Sequence, residues 1–269
     1  VVNSMDKEKS QILVLVEGNK TDYNLMNKLL EIYGISDSHE VVSYHTNIYT
    51  LYQEMFQEGD PASVDLLQNL KEHEPNPHLK ELFDRRYSDI LLIFDLDPQD
   101  PLFSVDKITE MASYFVESSD MGKLYLNYPI VEAYYHMKSI PDPEFDSYTV
   151  SLEELTGHTY KGRVNRENRD HDYRKFGVDK KENDIVIRQN IAKAWRIAKP
   201  EALSPLSITP LEAGDILRRQ LEMLSKENIL SVLCTCVFYI ADYNPKLLEW
   251  VNRGRKPRIR PLAQGGYLL

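Results

Sequence analysis

Two short stretches carry the residues best suited to chemistry. In "VEG" (16–18), Glu17 follows an apolar run, and in "ILLIFDLDPQD" (90–100) another apolar run breaks off into Asp95, Asp97 and Asp100. The second run mixes β-branched, aliphatic and aromatic residues and reads as a buried strand of a parallel sheet. Carboxylates gathered at its end repel one another unless a positive charge lies between them, and a divalent metal ion is the usual answer. Ligands of an open parallel sheet bind at the carboxyl ends of the strands, so Glu17, Asp95 and Asp97 converge if their strands are neighbours. A spacing of two puts both aspartates on one side of the chain. Hard oxygen ligands suit Mg²⁺ or Mn²⁺, which leave positions open for water and phosphate oxygens. Such an ion polarises a phosphodiester and stabilises the leaving oxygen, and a second ion roughly 4 Å away activates the attacking water.

Each piece also has a simpler reading. Glu-Gly after a strand can be only a turn. Asp-x-Asp at a strand end also serves as a Walker-B aspartate, but no G-x-x-x-x-G-K-[ST] occurs in the chain. It opens the haloacid-dehalogenase-type phosphatases as well, whose motif continues with Thr-Val or Thr-Leu where this chain has Pro98 and Gln99.

The net charge of −10 argues against a general nucleic-acid binder, yet the charge is unevenly spread. Residues 1–150 carry 11 Lys and Arg against 27 Asp and Glu, whereas residues 151–269 carry 21 against 15. Acidic residues gather metal and basic residues gather phosphate, so the halves are suited to opposite tasks; a charge-balanced fold whose halves touch is the plainer alternative. "YKGRVNRENRDHDYRKFG" (160–177) mixes Arg163, Arg166, Arg169, Arg174 and Lys175 with Tyr160, Tyr173 and Phe176. Guanidinium groups neutralise phosphates and aromatic rings stack on unpaired bases. Glu167, Asp170 and Asp172 in the same stretch equally allow a salt-bridged loop, and His158 and His171 are proton donors or ordinary loop residues. "RGRKPRIR" (253–260) supplies Arg253, Arg255, Lys256, Arg258 and Arg260 with no acid among them. Lys20, near Glu17 in the first loop, is placed to reach a phosphate or to neutralise carboxylates; it and Lys123 also read as surface lysines.

No apolar stretch approaches the roughly 20 residues of a membrane span; "ILSVLCTCVFYIA" (229–241) suits a buried helix, and Pro257 interrupts any amphipathic membrane helix in the basic run. The N-terminal residues are polar and charged, unlike a signal peptide. Cys234 and Cys236 are the only cysteines, too few for a zinc site, and read as reduced core residues. A cytoplasmic protein with no membrane partner is expected.

The elements that must position these residues follow from periodicity. "QILVLVEG" (11–18), "EVVSYH" (40–45), residues 89–95 and "KLYLN" (123–127) read as strands. Helices are expected over 21–34, 104–119 and 129–137, with a helical insertion over about 47–87. Alternating strands and helices predict an α/β fold, a parallel sheet with helices on both faces. After the turn-rich "IPDPEFD" the pattern predicts helices at 179–199, 209–225, 227–242 and 244–251 and no strand. The expected organisation is a catalytic α/β domain over 10–145 followed by a mostly helical, basic domain over 146–269.

Glu-Gly on strand one with Asp-x-Asp on a later strand resembles the TOPRIM (topoisomerase–primase) fold family. Within it, "VEGNKTDYNLMNKLL" is similar to the EG-x-x-T-[ED]-x-x-Y/F opening of RloB-like and OLD-like nucleases of bacterial anti-phage defence. "FDLDPQD" is similar to their D-x-D-x-x-D. "NYPIVEAYYHM" resembles their N-P-x-F-E-x-W segment, with Asn127, Pro129 and Glu132 at matching positions. The resemblance covers about residues 11–137. It implies a TOPRIM-like sheet and Mg²⁺- or Mn²⁺-dependent cleavage of DNA or RNA. Glu17 would be a metal ligand or general acid/base, Asp95 and Asp97 would hold the metal, and Asp100 and Glu132 would be candidates for a second ion. It also implies an ABC-type or SMC-like ATPase partner, and leaves a homo-oligomer open. Two rivals remain on the sequence: a metal-dependent small-molecule phosphatase or phosphotransferase, and a non-catalytic module that binds such an ATPase.

Overall fold

The computed structural model describes residues 11–56, 60–119, 121–201 and 209–248. Its centre is a five-stranded sheet in the order β2-β1-β3-β5-β4. Strands β1 (Gln11–Val16), β2 (His39–Ser43), β3 (Tyr87–Asp95) and β5 (Gly122–Asn127) run parallel, and the two-residue β4 (Val116–Glu117) adds antiparallel to β5 at the edge. Consecutive residues from Ile12 to Val16 and from Ile90 to Asp95 are buried, so the sheet is covered on both faces.

Local chemistry sets the helices between the strands. Helix α1 (Thr21–Ile32) presents Leu25, Met26, Leu29 and Leu30 to the core and stops at Gly34, whose φ of 66° is open to glycine. The stretch after β2 folds into α2 (Ile48–Phe56), α3 (Leu66–His73) and the single turn α4 (Pro77–Lys80), with Asp65 capping α3 by accepting from the Gln68 amide at 2.9 Å. Helix α5 (Val105–Tyr114) precedes β4. The expected helix over 104–119 thus ends early, because its last residues pair with β5 instead.

The second half departs further from expectation. Strand β6 (Thr149–Ser151) leads into α6 (Leu152–Thr156) and α7 (Tyr160–Glu167), and the long α8 (Lys180–Ala198) and α9 (Ala213–Glu227) follow. The segment expected as a helix at 227–242 instead forms β7 (Ile229–Ser231), antiparallel to β6, then a buried non-helical run, and only then α10 (Phe238–Tyr243). An uninterrupted apolar run fits a buried strand as well as a buried helix, and Asn228, left-handed at φ 55°, ends α9 just before it. Residues 129–137 likewise form a short 3-10 turn, Val131–Tyr135, rather than an α-helix.

The two halves share one contiguous cluster of buried hydrophobic side chains. Tyr128, just past β5, exchanges two backbone hydrogen bonds of 2.8 Å with Leu233. Among the described residues, no helix is long and apolar enough to cross a membrane.

Candidate functional site

β1 and β3 are hydrogen-bonded neighbours, with Val16 opposite Ile93. Glu17 continues this pairing by donating its amide to the Ile93 carbonyl at 3.1 Å. Its side chain is thereby delivered to the end of β3, where Glu17 Oε2 accepts the Asp95 amide at 3.1 Å. Beyond Asp95 the alternation of an extended chain persists for one more step. Leu96 is fully buried, donates its amide to the Asn127 and Pro129 carbonyls at 3.1 Å each, and accepts the Tyr49 hydroxyl on its own carbonyl. Asp97 then takes φ 40°, a left-handed turn that aspartate tolerates better than most residues. One ligand oxygen from each of Glu17, Asp95 and Asp97 lies within 4.8 Å of the others.

Neighbouring groups hold this trio in place. Asn127, fully buried at the end of β5 and paired with Asp95 in the sheet, donates its side-chain amide to Asp95 Oδ1 at 3.1 Å. The Asn127 side-chain oxygen accepts the amides of Thr235 and Cys236 at 3.1 and 3.3 Å. Gln99 donates to Asp97 Oδ1 at 2.9 Å. Asp100 lies outside the trio: its two oxygens accept the Leu102 amide and the Asn47 side-chain amide, each at 2.7 Å, so it closes the loop.

Two further carboxylates stand against the trio. Asp22, in the first turn of α1, is 5% exposed, lines the same cleft, and has an Oδ1 with no hydrogen-bond partner. Gly18 makes room for it, since a Cβ there would fall 2.5 Å from Asp22 Oδ2. Glu132, 4% exposed, binds the Lys161 ammonium through Oε1 at 3.1 Å, while its Oε2 is buried without a partner. Buried carboxylate oxygens are costly to leave unpaired, so these two are vacant acceptors beside three convergent ones. On the sequence Asp22 stands only as a helix start and as the acidic position of the EG-x-x-T-[ED] match, with no site role assigned; the signal for one was its place in the first helical turn after strand one, which faces the strand ends.

Burial is the main reason that these carboxyls resist ionising. It pushes Glu17 up to about 8, partly offset by the Asp95 amide and reinforced by Asp97, Asp22 and Asp100. Burial, then Glu132 and Asp97, push Asp22 up to about 6, against the pull of its own backbone amide and of Lys161. Asp95 is raised well above the carboxylate range by burial and by the charges of Asp22, Glu17 and Asp97, and Asp97 is raised chiefly by burial. For Lys161, burial lowers the pKa, but Glu132, Asp95 and Asp97 outweigh it and raise it. A hard divalent cation fits this arrangement: the donors are all oxygens, they converge, and once ionised they would carry more negative charge than Lys161 alone neutralises.

The opposite wall of this cleft, about 360 Å³ in volume, comes from the second half of the chain: Glu154, Leu155, His158, Tyr160 and Lys161. Ser151 and Glu154 cap α6 reciprocally. Arg163 pins α7 to this wall, donating to Glu154 Oε1 at 2.7 Å and to the Thr149 carbonyl at 2.6 Å. Behind it, the Tyr160 hydroxyl lies 3.1 Å from His136 Nδ1, whose Nε2 lies 3.1 Å from Glu167.

The basic residues expected to contact nucleic acid are therefore not all equivalent. Arg163 is engaged within the fold, Arg169 pairs with Asp170 and Glu182, and Arg174 pairs with Asp172. Lys20, Arg166 and Lys175 are exposed but do not line the cleft. Arg253, Arg255, Lys256, Arg258 and Arg260 lie outside the described residues. Lys123 bridges Glu212 and Asp242 at 3.4 and 3.1 Å, away from the trio. Comparison with protein-family models, with curated proteins and with solved structures found no match.

Proposed function

We propose that this protein is a Mg²⁺- or Mn²⁺-dependent phosphodiesterase of the TOPRIM type that cleaves nucleic acid, as the nucleases of phage defence do. The observation that carries the reading is the convergence of Glu17, Asp95 and Asp97 from two neighbouring strand ends. Those three side chains would hold the cation, with Asp22 Oδ1 and Glu132 Oε2 as the adjoining acceptor atoms that lack a partner. A bound cation supplies Lewis-acid polarisation of a phosphoryl oxygen and stabilises charge on the leaving group. Asn127 would orient Asp95, and Gln99 would orient Asp97, by the hydrogen bonds they donate to Oδ1 of each. In the alternative to ligation, Glu17, inclined to keep its proton by burial, would serve as general acid/base and exchange a proton with water at the phosphate.

The test is incubation of the full chain with tRNA, single-stranded DNA and duplex DNA in Mg²⁺ or Mn²⁺. Cleavage is expected to require the cation and to fall by at least about 100-fold in Glu17→Gln and in Asp95→Asn, the scale of losing a positioned acid–base group. Activity that survives either change intact overturns the assignment. The cleft's modest volume favours one alternative, a phosphomonoester substrate, since about 360 Å³ is near the low end for small-molecule sites. Turnover of a phosphomonoester panel without any effect on polynucleotide would select that alternative.

A further inference from the structure

Five carboxylates line the cleft, yet a phosphate is an anion, so something on its wall must be positive where the substrate enters. Among the described residues, Lys161 is the one lysine or arginine that lines it. Its side chain is 67% exposed, while the carboxylate it holds, Glu132, is 5% exposed. The ammonium therefore sits at the mouth, between buried negative charge and open solvent. Arg163 ties helix α7 in this position, to Glu154 and to the Thr149 carbonyl. Arginine would offer a fixed planar fork; lysine offers a compact charge on a flexible stem with three donors, able to change partner by rotating bonds.

We propose that Lys161 is the phosphate-binding group of this cleft, which exchanges the Glu132 carboxylate for a substrate phosphate oxygen. The inference rests on the cation-dependent phosphodiesterase reading above and deepens it by assigning the second half of the chain a direct contact with the substrate. With no cation bound, Lys161 is the nearest counter-charge to Glu132 and is felt by Asp95 and Asp97. Once the carboxylates are neutralised by a divalent ion, their hold on the ammonium weakens and an arriving phosphate competes for it. The lysine thus opposes cation binding and supports phosphate binding, two effects of opposite sign.

That opposition is what an experiment can read. Calorimetry on the full chain gives the affinity for Mn²⁺ alone, and then the affinity for adenosine 5′-monophosphate at saturating Mg²⁺. Lys161→Met is expected to tighten Mn²⁺ binding by about 5-fold, for removal of one positive charge from a solvated cleft. It is expected to weaken nucleotide binding by about 10- to 100-fold, the range for deleting a charged hydrogen-bond donor, with Lys161→Arg retaining most of the nucleotide affinity. A merely structural role would weaken both ligands together, and that result, or unchanged nucleotide binding in Lys161→Met, overturns the proposal. A wild-type chain that takes up no Mn²⁺ would instead bring down the underlying metal reading, so the two failures are separable.

Discussion

Glu17 shares a buried corner with three other carboxyls, and its proton is therefore bound more tightly in the folded chain than in the unfolded one. With a folded pKa of about 8 against 4.5, its contribution to stability is complete below pH 4.5 and is lost as pH rises through about 8. Asp22 adds the same sign over a lower window, from 3.8 to about 6. In chelator, denaturant midpoints are expected to fall between pH 5 and 9, and a saturating divalent cation to restore the loss at the alkaline end. On the proposed metal reading, a cation would displace these protons, so Mn²⁺ affinity is expected to climb between pH 6 and 8 and level off above, with proton release measurable in weakly buffered solution. A flat affinity across that range would show that Glu17 does not ligate.

Strand ends do the positioning, and how much of this was legible depends on how each element announces itself. β1 and β3 are compact apolar runs ending in acid, and α1 has a clean apolar stripe closed by Gly34, so Glu17, Asp95 and Asp97 could be placed at strand ends from residue order; their convergence hung on β1 and β3 being neighbours, which the sheet order supplies. The run 229–241 offered no period at all, which is why β7 and the buried turn through Cys234–Cys236 read as a helix. Lys161 was overlooked, and Asp22 was matched without a role, because what each does depends on where α7 and the first turn of α1 are packed, a long-range property. The same packing makes Asn127 a junction: one side chain bonds Asp95 in the sheet and two amides of the C-terminal segment. Asn127→Ala strands all three in the interior. It is expected to cost about 2–4 kcal/mol in chemical denaturation and to weaken Mn²⁺ binding about 10- to 100-fold by calorimetry, as loss of an orienting partner does. Unchanged Mn²⁺ affinity in a folded variant would rule out that orienting role.

Across the whole molecule, the acidic half and the basic half meet at the cleft rather than acting as separate bodies. Their hydrophobic side chains form one cluster, Tyr128 pairs with Leu233, and α5 packs on α9. Scanning calorimetry is therefore expected to give a single transition whose calorimetric and van't Hoff enthalpies agree; two resolved transitions would mean that the halves unfold independently. The helical stretch between β2 and β3 has its own part in this unity, because Asn47 grips Asp100 and Tyr49 grips the Leu96 carbonyl. Clamped from that side and by β5 from the other, the aspartate loop has little freedom left to surrender. It is built in advance, so on the proposed reading an incoming ion would meet a finished cage and change its charge, not its shape. Far-ultraviolet circular dichroism with and without the ion will superimpose, while heat and protons alone record its arrival.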